Sequence, residues 1–206
     1  MNKYFLGLIA IAAMVIGVIS FKTITKLPSP EHALYYQQPR VINPFELIDH
    51  HGQPFTKTQL NDKWSLVFFG YTSCPDICPT TLQNLNFIYD DLKAIAQNSQ
   101  VLLVSVDPEH DSQEKLAQYI AYFNREFIAL RAGHEVLFPF ARNMGLMYAI
   151  SGEADNYLVD HSASLVLINP AGKIAAIFKP EQVVGEVPSI DSDKLLSDYQ
   201  KIVALY

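Results

Sequence analysis

The stretch Trp64-Ser65-Leu66-Val67-Phe68-Phe69-Gly70-Tyr71-Thr72-Ser73-Cys74-Pro75-Asp76-Ile77-Cys78-Pro79 decides how this chain folds. Residues 64–71 form a dense apolar run with Val and two Phe, bounded by Lys63. Such a run suits a buried strand better than a helix. Pro79 fits the first position of a following helix, with Cys78 at or near its cap. Between strand and helix lie the only two cysteines in 206 residues. Unpaired N–H groups and the helix dipole at such a junction favour thiolate over thiol. Pro75 and Pro79 disfavour helical geometry at the residues before them, so the cysteine stretch reads as a loop.

Working outward, Leu82, Leu85, Tyr89, Leu92 and Ala96 recur at three and four residues and make one helical face. Residues 101–106 read as a second buried strand. Asp111-Ser112-Gln113-Glu114 resembles a capping box with Asp as the cap, opening a helix through Leu116, Ile120 and Phe123. Residues 127–130 suit a third strand. Residues 134–146 carry a weaker helical pattern, in which Pro139 predicts a kink or a late start. Residues 165–168 and 174–178, joined by Asn169-Pro170-Ala171-Gly172, read as an antiparallel hairpin, and a helix from Asp191 or Ser192 to Ala204 closes the chain. On the N-terminal side, residues 45–49 and 50–55 read as two short strands about a glycine turn. The order predicts an α/β sandwich with a mixed sheet. It is the thioredoxin-like order, with an N-terminal β-hairpin extension and an inserted segment, spanning residues 45–206.

The first residues face a different solvent. From Tyr4 to Phe21 the chain is apolar, with Ser20 a mild exception and Lys3 before it. A helix of that length reaches about 27 Å, close to a bilayer core of roughly 30 Å. Residues 1–22 are therefore expected to be one N-terminal transmembrane helix. A cleaved signal peptide is the competing reading, but Val18-Ile19-Ser20 fits a cleavage site poorly and no lipid-accepting Cys follows. Either reading places the remainder outside the cytoplasm, where a disulfide persists. Residues 23–44, with Pro28, Pro30, Pro39 and Pro44 and little periodicity, read as a tether.

A formal charge of −6, with 15 basic residues scattered singly, argues against nucleic-acid binding. Two soft ligands at one turn can close a disulfide, hold a thiophilic metal, or do each in turn. Their spacing is C-x-x-x-C rather than the redox C-x-x-C. A purely structural disulfide is the plain alternative, but so short a loop offers little closure entropy. Paired thiolates prefer Cu(I) or Zn. Of the six histidines, His161 stands just before the strand at 165, in a loop that would face the cysteine turn in this fold. Asp160 or Ser162 would then orient its imidazole. Alone, a His before a strand is more often a surface or turn residue. His50 and His51 read as exposed turn residues; His32, His110 and His134 read as solvated. Asp107-Pro108-Glu109-His110-Asp111 reads first as a turn and cap.

Three segments together carry a resemblance. Phe69-Gly70-Tyr71-Thr72-Ser73-Cys74-Pro75-Asp76-Ile77-Cys78-Pro79, Ser105-Val106-Asp107-Pro108-Glu109-His110-Asp111 and Val159-Asp160-His161-Ser162 resemble the Sco/SenC family. Those are membrane-anchored, thioredoxin-like proteins that help deliver copper to cytochrome c oxidase. The resemblance implies that Cys74, Cys78 and His161 are copper ligands and that the cysteine pair cycles through a disulfide. It implies a partner, the copper-A-bearing subunit of a haem–copper oxidase, with other copper chaperones as further partners. A two-thiolate, one-imidazole site suits trigonal Cu(I) and also accepts Cu(II). Reduction of the partner's cysteines by thiol–disulfide exchange is the alternative function. The short N-terminus looks bacterial, which implies an inner-membrane protein with a periplasmic domain. A peroxidase reading is disfavoured, since Tyr71 stands where peroxiredoxins carry Thr. The chain departs from the family pattern at Arg131-Ala132-Gly133-His134, where members usually carry Thr-Gly opening the next helix.

Overall fold

A computed structural model describes residues 7, 11–17, 28–153, 156–182, 185 and 187–206. Its strands are β1 (Leu34–Val41), β2 (Glu46–Asp49), β3 (Pro54–Thr56), β4 (Trp64–Gly70), β5 (Ser99–Ser105), β6 (Ile128–Arg131), β7 (Tyr148–Glu153), β8 (Asn156–His161), β9 (Leu165–Asn169) and β10 (Lys173–Phe178). Its helices, counted from the cysteine turn, are α1 (Ile77–Phe87), α2 (Tyr89–Ile95), α3 (Gln113–Phe123), α4 (His134–Met144) and α5 (Ser192–Leu205). The main sheet runs β1-β10-β9-β4-β5-β6-β2-β3. β4, β5 and β6 are parallel; β9 runs antiparallel to β4, and the outer strands are antiparallel to their neighbours.

The continuous apolar runs of β4 and β5 follow from burial on both faces. Leu66 and Phe68 point to one side, where Leu82, Leu85, Leu92, Leu116, Ile120 and Tyr199 from α1, α2, α3 and α5 cover them. Val67 and Phe69 point to the other, against Leu137, Phe140 and Met144 of α4. Each of these large side chains contributes about 1.5–3 kcal/mol relative to exposure. The expected layered α/β sandwich with its mixed sheet and β2–β3 hairpin is what forms.

Several local readings need correction. The sheet begins inside the stretch expected to be a tether, because residues 34–41 pair with β10. Three N–H groups, of Glu31, His32 and Ala33, donate to the Asp198 carboxylate at 3.0, 2.6 and 2.8 Å, so the folded unit starts well before Phe45. Helix α1 starts two residues earlier than expected, which puts Cys78 inside its first turn rather than at the cap. The single helical face breaks at Ile88 into α1 and α2. Ser112, not Asp111, caps α3, accepting from Lys115 N at 3.2 Å. Helix α4 starts at His134 with no delay and accommodates Pro139 within it. Tyr148–Glu153 and Asn156–His161 form the antiparallel β7–β8 ribbon, which was not among the expected strands. The expected anchor, residues 1–22, lies mostly outside the described residues; 11–17 are helical. Among the described residues no helix is long and apolar enough to cross a membrane.

Candidate metal centre

At the end of β4 the backbone leaves the sheet through Tyr71 and Thr72 and enters the cysteine loop. Asp111, fully buried, holds that exit. Its carboxylate accepts from Thr72 N at 3.1 Å, from the Thr72 hydroxyl, and from Ser105 Oγ at 2.7 Å, with Lys115 Nζ 3.7 Å away. The residue expected to cap a helix therefore ties the cysteine loop to the end of β5. Nothing in local sequence distinguishes these roles, since both ask for a short acceptor after a strand.

Cys74 and Cys78 are free, the first half-buried and the second buried. The Cys78 N–H, unpaired within the helix because it lies in its first turn, donates to Cys74 Sγ at 3.4 Å. Gly70 makes room for the pair: a Cβ there would come within 3.0 Å of Cys78 Sγ and 2.9 Å of the Phe68 ring. His161 ends β8, and its Nε2 lies 3.4 Å from Cys78 Sγ. Its Nδ1 lies 3.2 Å from the Ser162 carbonyl oxygen. A carbonyl only accepts, so Nδ1 donates to it, and Nε2 is the ring nitrogen that faces the sulfurs. Of the two residues expected to orient the ring, Ser162 makes the contact, through its carbonyl, and the Asp160 side chain is exposed. The edges of Phe68 and Tyr71 flank the imidazole, both at 5.9 Å between centroids.

The ligand atoms of Cys74, Cys78 and His161 all lie within 4.8 Å of one another. Two sulfurs and one imidazole nitrogen fit a thiophilic ion and suit a hard cation badly. The thiols are electrostatically unequal. The hydrogen bond with Cys78, joined by His161 and by the N–H groups of Cys78 and Asp76, outweighs burial and lowers Cys74 to about 4. The same hydrogen bond, then burial, then the charge of Cys74 push Cys78 far above the ordinary thiol range. The Tyr119 hydroxyl is buried without a hydrogen-bond partner among the described residues. Burial, then the charges of Cys78 and Cys74, raise its pKa, which keeps it a neutral O–H group.

The other histidines stay outside this cluster. His50 is buried rather than exposed: its Nδ1 accepts from Ala129 N at 3.1 Å and its ring lies 4.0 Å from that of His51. Burial, then His51, lowers its pKa. His134 is bonded to Tyr148 Oη at 2.9 Å rather than solvated. His110 Nδ1 stands 3.1 Å from Asp107. His32 is exposed, as expected. The roles of Thr72, Ser105 and Gly70 were not expected from the sequence, because they depend on contacts between distant strands.

Comparison with known proteins agrees with this architecture. The family model SCO1/SenC matches residues 34–190. The SCO2-like protein of Rickettsia prowazekii is 33% identical over 175 residues, covering 81% of this chain and 85% of its own. The crystal structure of Arabidopsis thaliana ScoI, solved with copper bound, is 30% identical and superposes with a TM-score of 0.71 over 81% of this chain and 99% of that one. BsSco, studied for a disulfide switch and described as a member of the Sco family of cytochrome c oxidase assembly proteins, is 21% identical, with a TM-score of 0.62 over 84% and 99%. That last likeness is one of fold. The sandwich is thioredoxin-like, and the chain belongs to the SCO1/SenC family.

Proposed function

We propose that this chain is a copper metallochaperone that carries copper as cargo on Cys74, Cys78 and His161 and serves the copper-A site of a haem–copper oxidase. The observation that carries the reading is the convergence of two sulfurs and one imidazole nitrogen within 4.8 Å at the β4 exit. Membership of a family with a copper-bound member and a described role in oxidase assembly supports it. Paired thiolates favour Cu(I), and the half-exposed Cys74 gives an incoming ligand a route to the ion while buried Cys78 retains it. Residues 1–22 would anchor the chain in a bacterial inner membrane, with the folded domain on the periplasmic side. There it would meet the copper-A-bearing subunit and the chaperones that load it.

A second reading rests on the inequality of the thiols. A half-exposed Cys74 lowered to about 4 is a nucleophile, and buried Cys78 is a resolving thiol. Cys74 would attack a partner disulfide to form a mixed disulfide. Cys78 would then displace it, leaving two partner thiols and a Cys74–Cys78 disulfide. His161→Ala separates the readings. Loss of an orienting group behind a ligand typically costs about 10–100-fold in metal affinity, so loss of a ligand should cost more. Thiol exchange, which depends on the sulfurs, should survive. A Cu(I) competition titration beside a disulfide-reduction assay makes the test; unchanged copper affinity in the variant would overturn the chaperone reading.

A further inference from the structure

His161 does not stand on the main sheet. It ends β8, and the partner of β8 is β7 in a separate two-stranded ribbon. A two-stranded ribbon alone is marginally stable in water, so the imidazole needs a support from elsewhere. The residue directly opposite His161 in the ribbon is Tyr148. Tyr148 is 7% exposed, and its ring stacks on Phe138 with centroids 4.6 Å apart and planes 4° from parallel. Its hydroxyl lies 2.9 Å from His134 Nδ1. His134 and Phe138 are four residues apart on the opening turns of α4 and so share one helix face. Val159, two residues before His161, is buried in the same cluster as Tyr148, Phe140 and Leu137. The ladder continues one step beyond the histidine, where Ser162 N donates to the Met147 carbonyl at 3.3 Å.

The cysteines have a different support. They sit between β4 and α1, and the buried Asp111 ties their loop to β5. The centre is thus assembled from two halves: sulfur at the end of β4, and an imidazole that is flanked by Phe68 and Tyr71 but carried on a ribbon clamped by α4. We infer that His134, together with Phe138, is a positioning residue for His161, acting through Tyr148. The inference rests on the reading of His161 as a copper ligand.

The test uses His134→Ala, Tyr148→Phe and His134→Asn, the last keeping a polar atom near the Tyr148 hydroxyl. Each is made alone and with His161→Ala, and Cu(I) affinity is read by competition. Amide hydrogen exchange of the copper-free protein is followed in parallel. His134→Ala should lower affinity about 10–100-fold, in the range for groups that orient a ligand. Tyr148→Phe should lower it less, and His134→Asn should restore most of it. In the His161→Ala background the His134→Ala loss should vanish, and ribbon amides should exchange faster while those of β4 do not. An equal loss without His161, or no loss while wild-type affinity depends on His161, overturns the inference. If His161→Ala alone leaves affinity unchanged, the copper reading fails instead. Ribbon exchange then decides the clamp: faster exchange in His134→Ala sustains it, and unchanged exchange overturns it.

Discussion

Cys74 and Cys78 stand four positions apart and share a hydrogen bond, yet their protons are held at opposite extremes. An ordinary thiol titrates near 8.5, so its thiolate fraction falls about tenfold per pH unit below that. Cys74, lowered to about 4, should stay ionised across the neutral range. Alkylation of the reduced protein by iodoacetamide, followed by peptide mapping, should label Cys74 at a rate nearly constant between about pH 5.5 and 8. Buried Cys78 should remain unlabelled until the fold opens. Equal labelling of both, or a Cys74 rate that falls tenfold per unit, would contradict the assignment. The sign of linkage follows. Cys74 is depressed, so its contribution is present above the unfolded value and is lost as pH falls toward 4. Cys78 is raised, so its contribution holds below the unfolded value and is lost as pH rises past it. These identities were legible in the sequence because two lone thiols at a strand–helix junction have few uses. The role of Asp111 was not, because a carboxylate that caps a helix and one that locks a distant loop look alike in one dimension.

At the scale of elements, the largest misreading was β1. Leu34–Val41 carries Gln37, Gln38 and Pro39 and shows no clean alternation. Its pairing with β10 shifts register between Tyr35 and Arg40, the interval that contains Pro39. An edge strand tolerates a proline at such an irregularity, so the breaker signal was real but did not prevent pairing. By contrast β4, β5, β9 and β10 were legible because double-sided burial writes itself as uninterrupted apolar runs. The boundary is testable by truncation. Removal of residues 1–27 should leave a cooperatively unfolding domain, whereas removal of 1–44 strips an edge strand and the three N–H donors on Asp198. Asp198→Ala in the shorter truncation should cost about 2–3 kcal/mol in urea denaturation, since it leaves charge-assisted hydrogen bonds unmade. Burial opposes ionisation of Asp198, but the N–H donors of Glu31, Ala33 and His32 prevail and lower its pKa. Its contribution is therefore present above the unfolded carboxylate value near 3.9 and lost as pH falls below it. A 1–44 deletion as stable as the 1–27 deletion would restore the tether reading.

For the whole molecule, the layered sandwich supplies a rigid base on which one strand exit and one ribbon end converge, and what they share is a set of donor atoms. If those atoms carry copper, binding must be conditional on redox state, because a disulfide offers no thiolate to a metal. It must also be visible as stability, because an ion that binds only the folded chain stabilises it by mass action. At free Cu(I) a hundredfold above Kd the gain is about 2.7 kcal/mol. For a domain of this size each kcal/mol moves Tm by roughly 2–4 °C, so reduced protein should gain about 5–11 °C. The disulfide form should gain almost nothing, and Cys74→Ser and Cys78→Ser should each abolish most of the shift. Thermal unfolding followed by circular dichroism, with and without Cu(I) held by a competing chelator, measures all four. A shift of equal size in the oxidised protein would place the ion elsewhere than on the cysteines and would remove the chemical basis for the proposed cargo site.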